Sequence, residues 1–206
     1  MSSMLLSVRP VCSTPGFRSG APFDILLAAD QRRPRLLEEE GRIVSGSRFT
    51  YAAGRLALWS PDPDRVSATG TLTLETGHFR KLAIANPELA PYGLAAKQTL
   101  ESLGMYKDIA RKLVMGANIG QTHVMVSTRN AELGFVALSY LESPRNRQAG
   151  SRWVVPADLH DPIHQDAVLL ERAANNEAAS AFLEYLQSQR ASKIIERFGY
   201  TALPSR

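Results

Sequence analysis

Short runs of apolar residues alternate along the chain with longer segments of helical periodicity. The continuous apolar run at 25–29 is typical of a strand buried on both faces, and further short buried strands are predicted at 81–85 and 133–138. Pro91 is suited to the first position of a helix, and Asn118 is suited to be an N-cap. Strands that alternate with helices indicate βαβ units and a parallel sheet, so the predicted fold class is α/β.

The same patterns place the other elements. Helices are predicted at 31–40, 91–103, 105–113, 118–130, 175–189 and 190–198, and further strands at 48–51, 55–60, 152–156 and 166–170. Residues 157–165 are predicted to be a polar linker. Residues 1–20 follow neither period and are predicted to be an irregular leader.

Composition narrows the class of protein. The chain has 206 residues, of which 44% are hydrophobic and 21% charged, and its net charge is +4. This apolar fraction is too high for a disordered protein. The longest apolar runs are far shorter than the roughly 20 residues that a membrane span needs. Basic residues are interspersed with acidic ones and form no stripe with aromatic residues, so nucleic acid is not an expected partner.

The residues that could carry catalysis or bind a metal are few. One cysteine, Cys12, excludes an internal disulfide and a multi-cysteine metal site. No nucleophile elbow and no glycine-rich phosphate loop is present, so an enzyme is disfavoured. A metal cluster is suggested by composition alone around 158–166, which contains His160, His164, Asp158, Asp161 and Asp166. Pro162 interrupts the helical spacing of the two histidines, so a solvated linker is favoured and no metal site is predicted.

Two predicted helix starts have a composition that suits an anion. They are the segments APYG at 90–93 and NIGQ at 118–121, and each follows a strand or helix closely. The first turn of a helix exposes backbone N–H groups and the positive end of the dipole, which can bind an oxyanion without a charged side chain. The two helix starts could converge on one ligand at the carboxyl edge of a sheet, or they could be the ordinary capped helices that every α/β protein has there.

Longer blocks of sequence resemble one protein family. Residues 21–30 (APFDILLAAD) are similar to a segment of the periplasmic molybdate-binding proteins of ABC transporters. Further blocks similar to that family follow in the same order at 46–60, 84–93, 130–137 and 198–200. The resemblance extends from about Ser19 to the C-terminus.

This resemblance implies a two-lobed, type II periplasmic binding protein fold. The first lobe would contain 21–56 and 164–206, and the second would contain 57–163. The ligand, molybdate or tungstate, would be held in the cleft between the lobes by neutral hydrogen-bond donors, with no cofactor. The family's partner is an ABC permease in the inner membrane, and the implied form is a periplasmic monomer.

The resemblance also implies individual site residues. The backbone N–H groups of Tyr92 and Ile119 would contact the oxyanion, with Gly93 and Asn118 in supporting positions. Some relatives have a tyrosine hydroxyl donor at the position of Ala137, where this chain has none. The Tyr92 hydroxyl is a hypothetical substitute for it.

The N-terminal residues depart from the family. Nothing in 1–18 resembles its signal peptide, its first strand or its serine-rich loop, so we expect an N-terminally truncated chain with an incomplete first lobe. Two alternatives follow from this departure and from the shared fold. The chain could be a non-functional fragment, or it could be the ligand-sensing domain of a regulator, although residues 1–20 leave no room for a helix-turn-helix.

Overall fold

The computed structural model of the protein describes residues 23–143 and 149–203, so the predicted leader and Cys12 lie outside the described residues. In these ranges the strands are β1 (Ile25–Leu27), β2 (Phe49–Gly54), β3 (Leu56–Ser60), β4 (Leu82–Ala85), β5 (Leu113–Gly116), β6 (Leu133–Ala137), β7 (Ser151–Val154), β8 (Ile163–Leu169) and β9 (Thr201–Ala202). The α-helices there are α1 (Arg32–Glu39), α2 (Thr71–Thr76), α3 (Pro91–Ser102), α4 (Tyr106–Ile109), α5 (Ile119–Ser127), α6 (Leu138–Glu142), α7 (Glu177–Leu186) and α8 (Gln189–Arg197). Among these helices, none is long and apolar enough to cross a membrane.

The described residues form two compact units, each assembled from separate stretches of chain. The first contains the residues up to Ala52, then 164–192 and Leu203, and the second contains 53–163 and 193–202. These ranges differ from the expected lobes at 53–56 and 193–202. The assignment of lobes itself remains a prediction.

The second unit is built on a five-stranded sheet with the order β5-β4-β6-β3-β7. β4 pairs in parallel with β5 on one side and with β6 on the other. β3 runs antiparallel to both β6 and β7. Every residue of β3, β4 and β6 is buried, which is expected of central strands covered on both faces.

Helices cover both faces of this sheet. Neighbouring residues of β6 point to opposite faces, so Phe135 belongs to one hydrophobic cluster and Val136 to another. α3 contributes Leu100 and other buried residues to the cluster of Phe135, whereas α5 contributes Val126 to the cluster of Val136. The two helices therefore pack on opposite faces of one sheet.

The first unit is built on neighbouring strands in the order β1-β8-β2, of which β1 and β8 are antiparallel. Successive residues of β8 enter different hydrophobic clusters. Val168 packs with Leu37 of α1, whereas Leu169 packs with Leu183 of α7. This sheet is therefore also covered by a helix on each face.

A buried carboxylate lies within the first unit. The Asp166 side chain is fully buried and accepts hydrogen bonds from Arg48 (2.9 Å), from the Thr50 hydroxyl (2.7 Å) and from the Gln31 amide (3.1 Å). Arg48 also donates to Glu38 at 2.6 Å. These two carboxylates, Glu38 first, raise the pKa of Arg48, so the guanidinium stays charged beside Asp166. The pairing compensates a charge that burial alone would make costly.

Two predicted segments have a different secondary structure, because parts of them pair as strands with distant segments of the chain. The helix predicted at 105–113 ends as a 3₁₀ turn at Ala110–Lys112, and its last residue begins β5, which pairs with β4. The polar linker predicted at 157–165 is wrong at its end, because β8 begins at Ile163. Polar residues are tolerated in β8 because partners satisfy them: the Tyr51 hydroxyl donates to Gln165 at 2.9 Å.

Two helices lack a sequence prediction, and one predicted strand is too long. α2 and α6 have only six and five residues, too short for a helical period to be recognised. The strand predicted at 25–29 is limited to the three residues of β1, of which only Leu26 is buried. Among the described strands β1 pairs with β8 alone, so it is less enclosed than the continuous apolar run suggested.

Candidate functional site

The carboxyl ends of three parallel strands meet at one edge of the five-stranded sheet. A short loop leads from β4 to α3 and another from β5 to α5, while α6 follows β6 directly. The backbone N–H of Asn86, directly after β4, donates to the Gly116 carbonyl of β5 at 2.8 Å. This hydrogen bond joins the ends of the two strands. In α/β sheets such an edge is where ligands bind. The structure thus brings the two sequence-predicted helix starts to one edge.

The first turn of α3 contains Tyr92 and Gly93. Ala90 is extended and Pro91 takes the first helical position, as the sequence predicted. The Ala90 carbonyl accepts from the amides of Gly93 (2.9 Å) and Leu94 (3.1 Å). The Tyr92 ring is buried in the hydrophobic core of the second unit, so this residue anchors the helix start.

Gly93 allows α3 to approach the end of β4. A Cβ at this position would lie 2.2 Å from the Ala85 carbonyl oxygen, which is backbone and cannot rotate away. Only a residue without a side chain permits this contact. The close approach determines where the first turn of α3 lies relative to the sheet edge.

Replacing Gly93 with alanine is expected to destabilise the protein by about 1–3 kcal/mol, because the backbone must shift to relieve the overlap. Urea unfolding followed by circular dichroism measures this loss. Leu94→Ala is a suitable control, since Leu94 follows in the same turn and is 44% exposed. Equal stability of the Gly93→Ala variant and the parent would contradict the role given to this contact.

The first turn of α5 is held by a side-chain cap. Asn118 is extended, and its side-chain oxygen accepts a hydrogen bond from the backbone N–H of Gln121 at 2.9 Å. This bond confirms Asn118 as the N-cap. The Gln121 side chain in turn accepts from the Ala117 amide at 3.0 Å. In the part of the chain that the structure describes, the amides of Ile119 and Gly120 have no acceptor. Both residues are partly exposed.

This arrangement suits a small anion. The cap satisfies the third amide of the turn and leaves the first two directed out of the helix. α5 has nine residues, so its dipole adds a partial positive charge at this end. Neutral N–H donors on a rigid helix can bind an oxyanion without a counter-charge.

Ala137 marks the end of the third strand. It is the residue before α6, it is 3% exposed, and its methyl group packs in the core. It offers no side-chain donor to the sheet edge. Ala137 thus supports the edge by packing.

A stack of three aromatic side chains lies behind the start of α5. The His123 ring stacks on Trp59 with ring centres 5.4 Å apart and on Tyr140 with ring centres 4.8 Å apart. His123 is buried, and its Nε2 has no hydrogen-bond partner among the described residues. Burial lowers the pKa of His123 from its ordinary value of 6.5.

The lowered pKa predicts a pH-dependent stability. Below about pH 6.5 the unfolded chain takes up a proton on His123 that the folded protein does not. The free energy of unfolding is therefore expected to fall with decreasing pH in this window, by up to about 1.4 kcal/mol per pH unit, and His123 adds no dependence above it. His123→Phe keeps an aromatic ring in the stack and should flatten this part of the profile. The control His78→Gln, at an exposed histidine, should leave the pH dependence as it is in the parent. An unchanged slope in His123→Phe would contradict the assignment to His123.

The histidines of the metal-like sequence cluster have separate surroundings. The Nδ1 atom of His160 lies 2.7 Å from the Asp161 carbonyl oxygen, and His164 is part of β8. Asp166, two residues further on, is engaged by Arg48. Within 23–143 and 149–203, no group of three potential metal ligands is found.

Sequence reasoning missed Tyr140, which lies close to the start of α5. Its helix α6 has only five residues and follows β6 without a loop. The sequence around Tyr140 therefore shows neither a helical period nor a loop before a helix start. Only the packing of α6 beside α5 brings the two together.

Comparison with known proteins shows which family the chain is similar to. Residues 15–201 match the family described as bacterial extracellular solute-binding protein. The molybdate-binding protein ModA of Azotobacter vinelandii is 49% identical over 191 residues, which are 91% of this chain and 75% of that protein. ModA of Rhodobacter capsulatus is 46% identical over 181 residues, 88% of this chain and 70% of that protein.

A solved structure supports the same assignment. The periplasmic molybdate-binding protein of Azotobacter vinelandii superposes with a TM-score of 0.82 at 36% identity, covering 91% of this chain and 81% of that one. The two-lobed periplasmic binding fold expected from the sequence is confirmed by this match. The chain belongs to the family of bacterial extracellular solute-binding proteins.

Proposed function

We propose that this protein binds molybdate, and tungstate with it, as the solute-binding subunit of an ABC importer. The relatives named ModA bind molybdate, and nearly half of the aligned residues are identical in this chain. Those relatives are binding proteins, so we infer binding and release without a catalysed reaction.

The observation that carries the proposal is the first turn of α5. Its cap leaves the amides of Ile119 and Gly120 without an acceptor among the described residues, at the sheet edge where α3 also begins. We infer that the Ile119 amide and the Tyr92 amide donate to the oxyanion. Gly93 and Asn118 position these two turns, and Ala137 packs beneath the edge.

The chemistry of the donors determines which anions fit. Backbone N–H groups can only donate, so they favour a ligand whose oxygens only accept. Molybdate and tungstate are fully deprotonated tetrahedral dianions near neutral pH and have nearly equal size. Hydrogen phosphate has a hydroxyl that needs an acceptor, and leaving it unsatisfied costs free energy.

Isothermal titration of the protein with molybdate, tungstate, sulfate and phosphate near neutral pH tests this proposal. We expect saturable heat with molybdate and tungstate and weaker or no binding of phosphate. Absence of heat and of any thermal shift with molybdate would overturn it.

The delivery step is a further part of the proposal. Since one matched structure is described as periplasmic and another relative as an ABC transporter substrate-binding lipoprotein, we infer that this protein works in the periplasm and presents its ligand to a permease in the inner membrane. We infer a monomer, which size-exclusion chromatography with light scattering would test. A stable dimer would contradict this inference.

A further inference from the structure

Tyr140 brings a hydroxyl group to the start of α5. It lies on α6, which follows β6 immediately. The hydroxyl oxygen is 3.3 Å from the position that a Cβ would occupy on Gly120, the second residue of α5. The group therefore lies beside Gly120, one of the two residues of this turn whose amides have no acceptor among the described residues.

The Tyr140 hydroxyl is available as a donor. In the part of the chain that the structure describes, it makes no hydrogen bond. Burial, and secondarily the charge of Tyr200, raise the pKa of Tyr140, so the hydroxyl keeps its proton over the physiological range. The hydroxyl oxygen is not among the fully enclosed polar atoms without a partner, so a ligand in solution can reach it.

The ring of Tyr140 is held in place. It stacks on His123 with an interplanar angle of 21°, and His123 stacks in turn on Trp59. His123 is itself a residue of α5, so the same helix supplies the amides and fixes the ring. A preorganised donor loses little conformational entropy when the ligand binds.

We propose that the Tyr140 hydroxyl donates a hydrogen bond to the oxyanion bound at the amides of Ile119 and Gly120. This assignment rests on the proposed function of the same helix start. Tyr140 is then a third neutral donor, contributed by a side chain of α6. A hydrogen bond to a charged ligand accounts for about tenfold or more in affinity.

Titration of Tyr140→Phe with molybdate tests the assignment. The phenylalanine ring preserves the stack on His123 and removes only the hydroxyl. We expect the dissociation constant for molybdate to rise about tenfold or more, with little change in the melting temperature of the ligand-free protein. Tyr106→Phe is the matched control, since Tyr106 is a partly buried tyrosine of the same unit on α4, and its variant should bind like the parent.

A second measurement does not depend on comparing affinities. Tyrosine ionisation, followed by ultraviolet absorption as the pH is raised, should occur at higher pH for one tyrosine when molybdate is bound. This difference should be missing in Tyr140→Phe. Binding by Tyr140→Phe within twofold of the parent, or an ionisation that molybdate leaves unchanged, would overturn the assignment. Absence of binding by the parent would instead overturn the proposed function.

Discussion

Replacing Ile119 with proline is expected to weaken molybdate binding about 10- to 100-fold. Proline has no N–H group, so this change removes one of the two α5 amides that lack an acceptor among the described residues. A hydrogen bond from a neutral donor to a charged group contributes about 1.5–3 kcal/mol, which corresponds to that range of affinity. Isothermal titration of the variant and the parent measures the change.

The fold should tolerate this proline. Ile119 is the first residue of α5, the position at which proline is favoured because its amide makes no bond within the helix. The preceding Asn118 has φ −153° and ψ 172°, an extended conformation that is compatible with a following proline. The loss should therefore appear in affinity rather than in folding.

Two variants control for other effects of the Ile119→Pro change. Ile119→Ala shortens the side chain but keeps the amide, so it should retain most of the affinity. Glu177→Pro places proline at the same position of α7, a helix of the first unit, and should leave binding unchanged. Parent-like affinity in Ile119→Pro would refute the participation of this amide.

Replacing Arg48 with methionine is expected to lower the free energy of unfolding by about 3 kcal/mol. The change leaves the fully buried Asp166 carboxylate without its cation, while the Thr50 and Gln31 donors remain. Breaking one side of a buried ion pair is strongly destabilising because the remaining charge is uncompensated. Urea unfolding at neutral pH, followed by circular dichroism, measures the loss.

A second substitution separates charge from packing. In the Arg48→Met background, Asp166→Asn removes the uncompensated charge and should restore part of the lost stability. Arg42→Met is the matched control, because Arg42 pairs with Glu40 at 3.3 Å with 45% of its side chain exposed, and should cost less than about 1 kcal/mol. Equal losses in Arg48→Met and Arg42→Met would contradict the role given to Asp166.

Much of the candidate site was predictable because its signals are local. Proline at the start of α3 and asparagine before α5 act on backbone groups within four residues, so their effect can be seen in the sequence. The apolar runs of β4 and β6 were equally clear, since both strands are buried on both faces. These elements carry Tyr92, Gly93, Asn118 and Ile119, whose roles in binding remain predictions.

β5 and α6 could not be predicted, for a common reason. β5 has four residues, of which only Gly116 is fully buried, and its pairing with β4 decides its conformation. α6 has five residues, and its position beside α5 depends on the direction in which β6 ends. Tyr140 was therefore missed together with its helix.

The sequence by itself determined the α/β class, the helices that begin at Pro91 and Asn118, and through its resemblance the family of solute-binding proteins. Only the tertiary structure decided which distant groups meet. Arg48 and Asp166 are 118 positions apart and form one ion pair, and the Tyr140 hydroxyl comes to lie beside Gly120. Local signals act through backbone hydrogen bonds a few residues long, whereas such contacts depend on the register of strands and the packing of helices, which are properties of the whole fold.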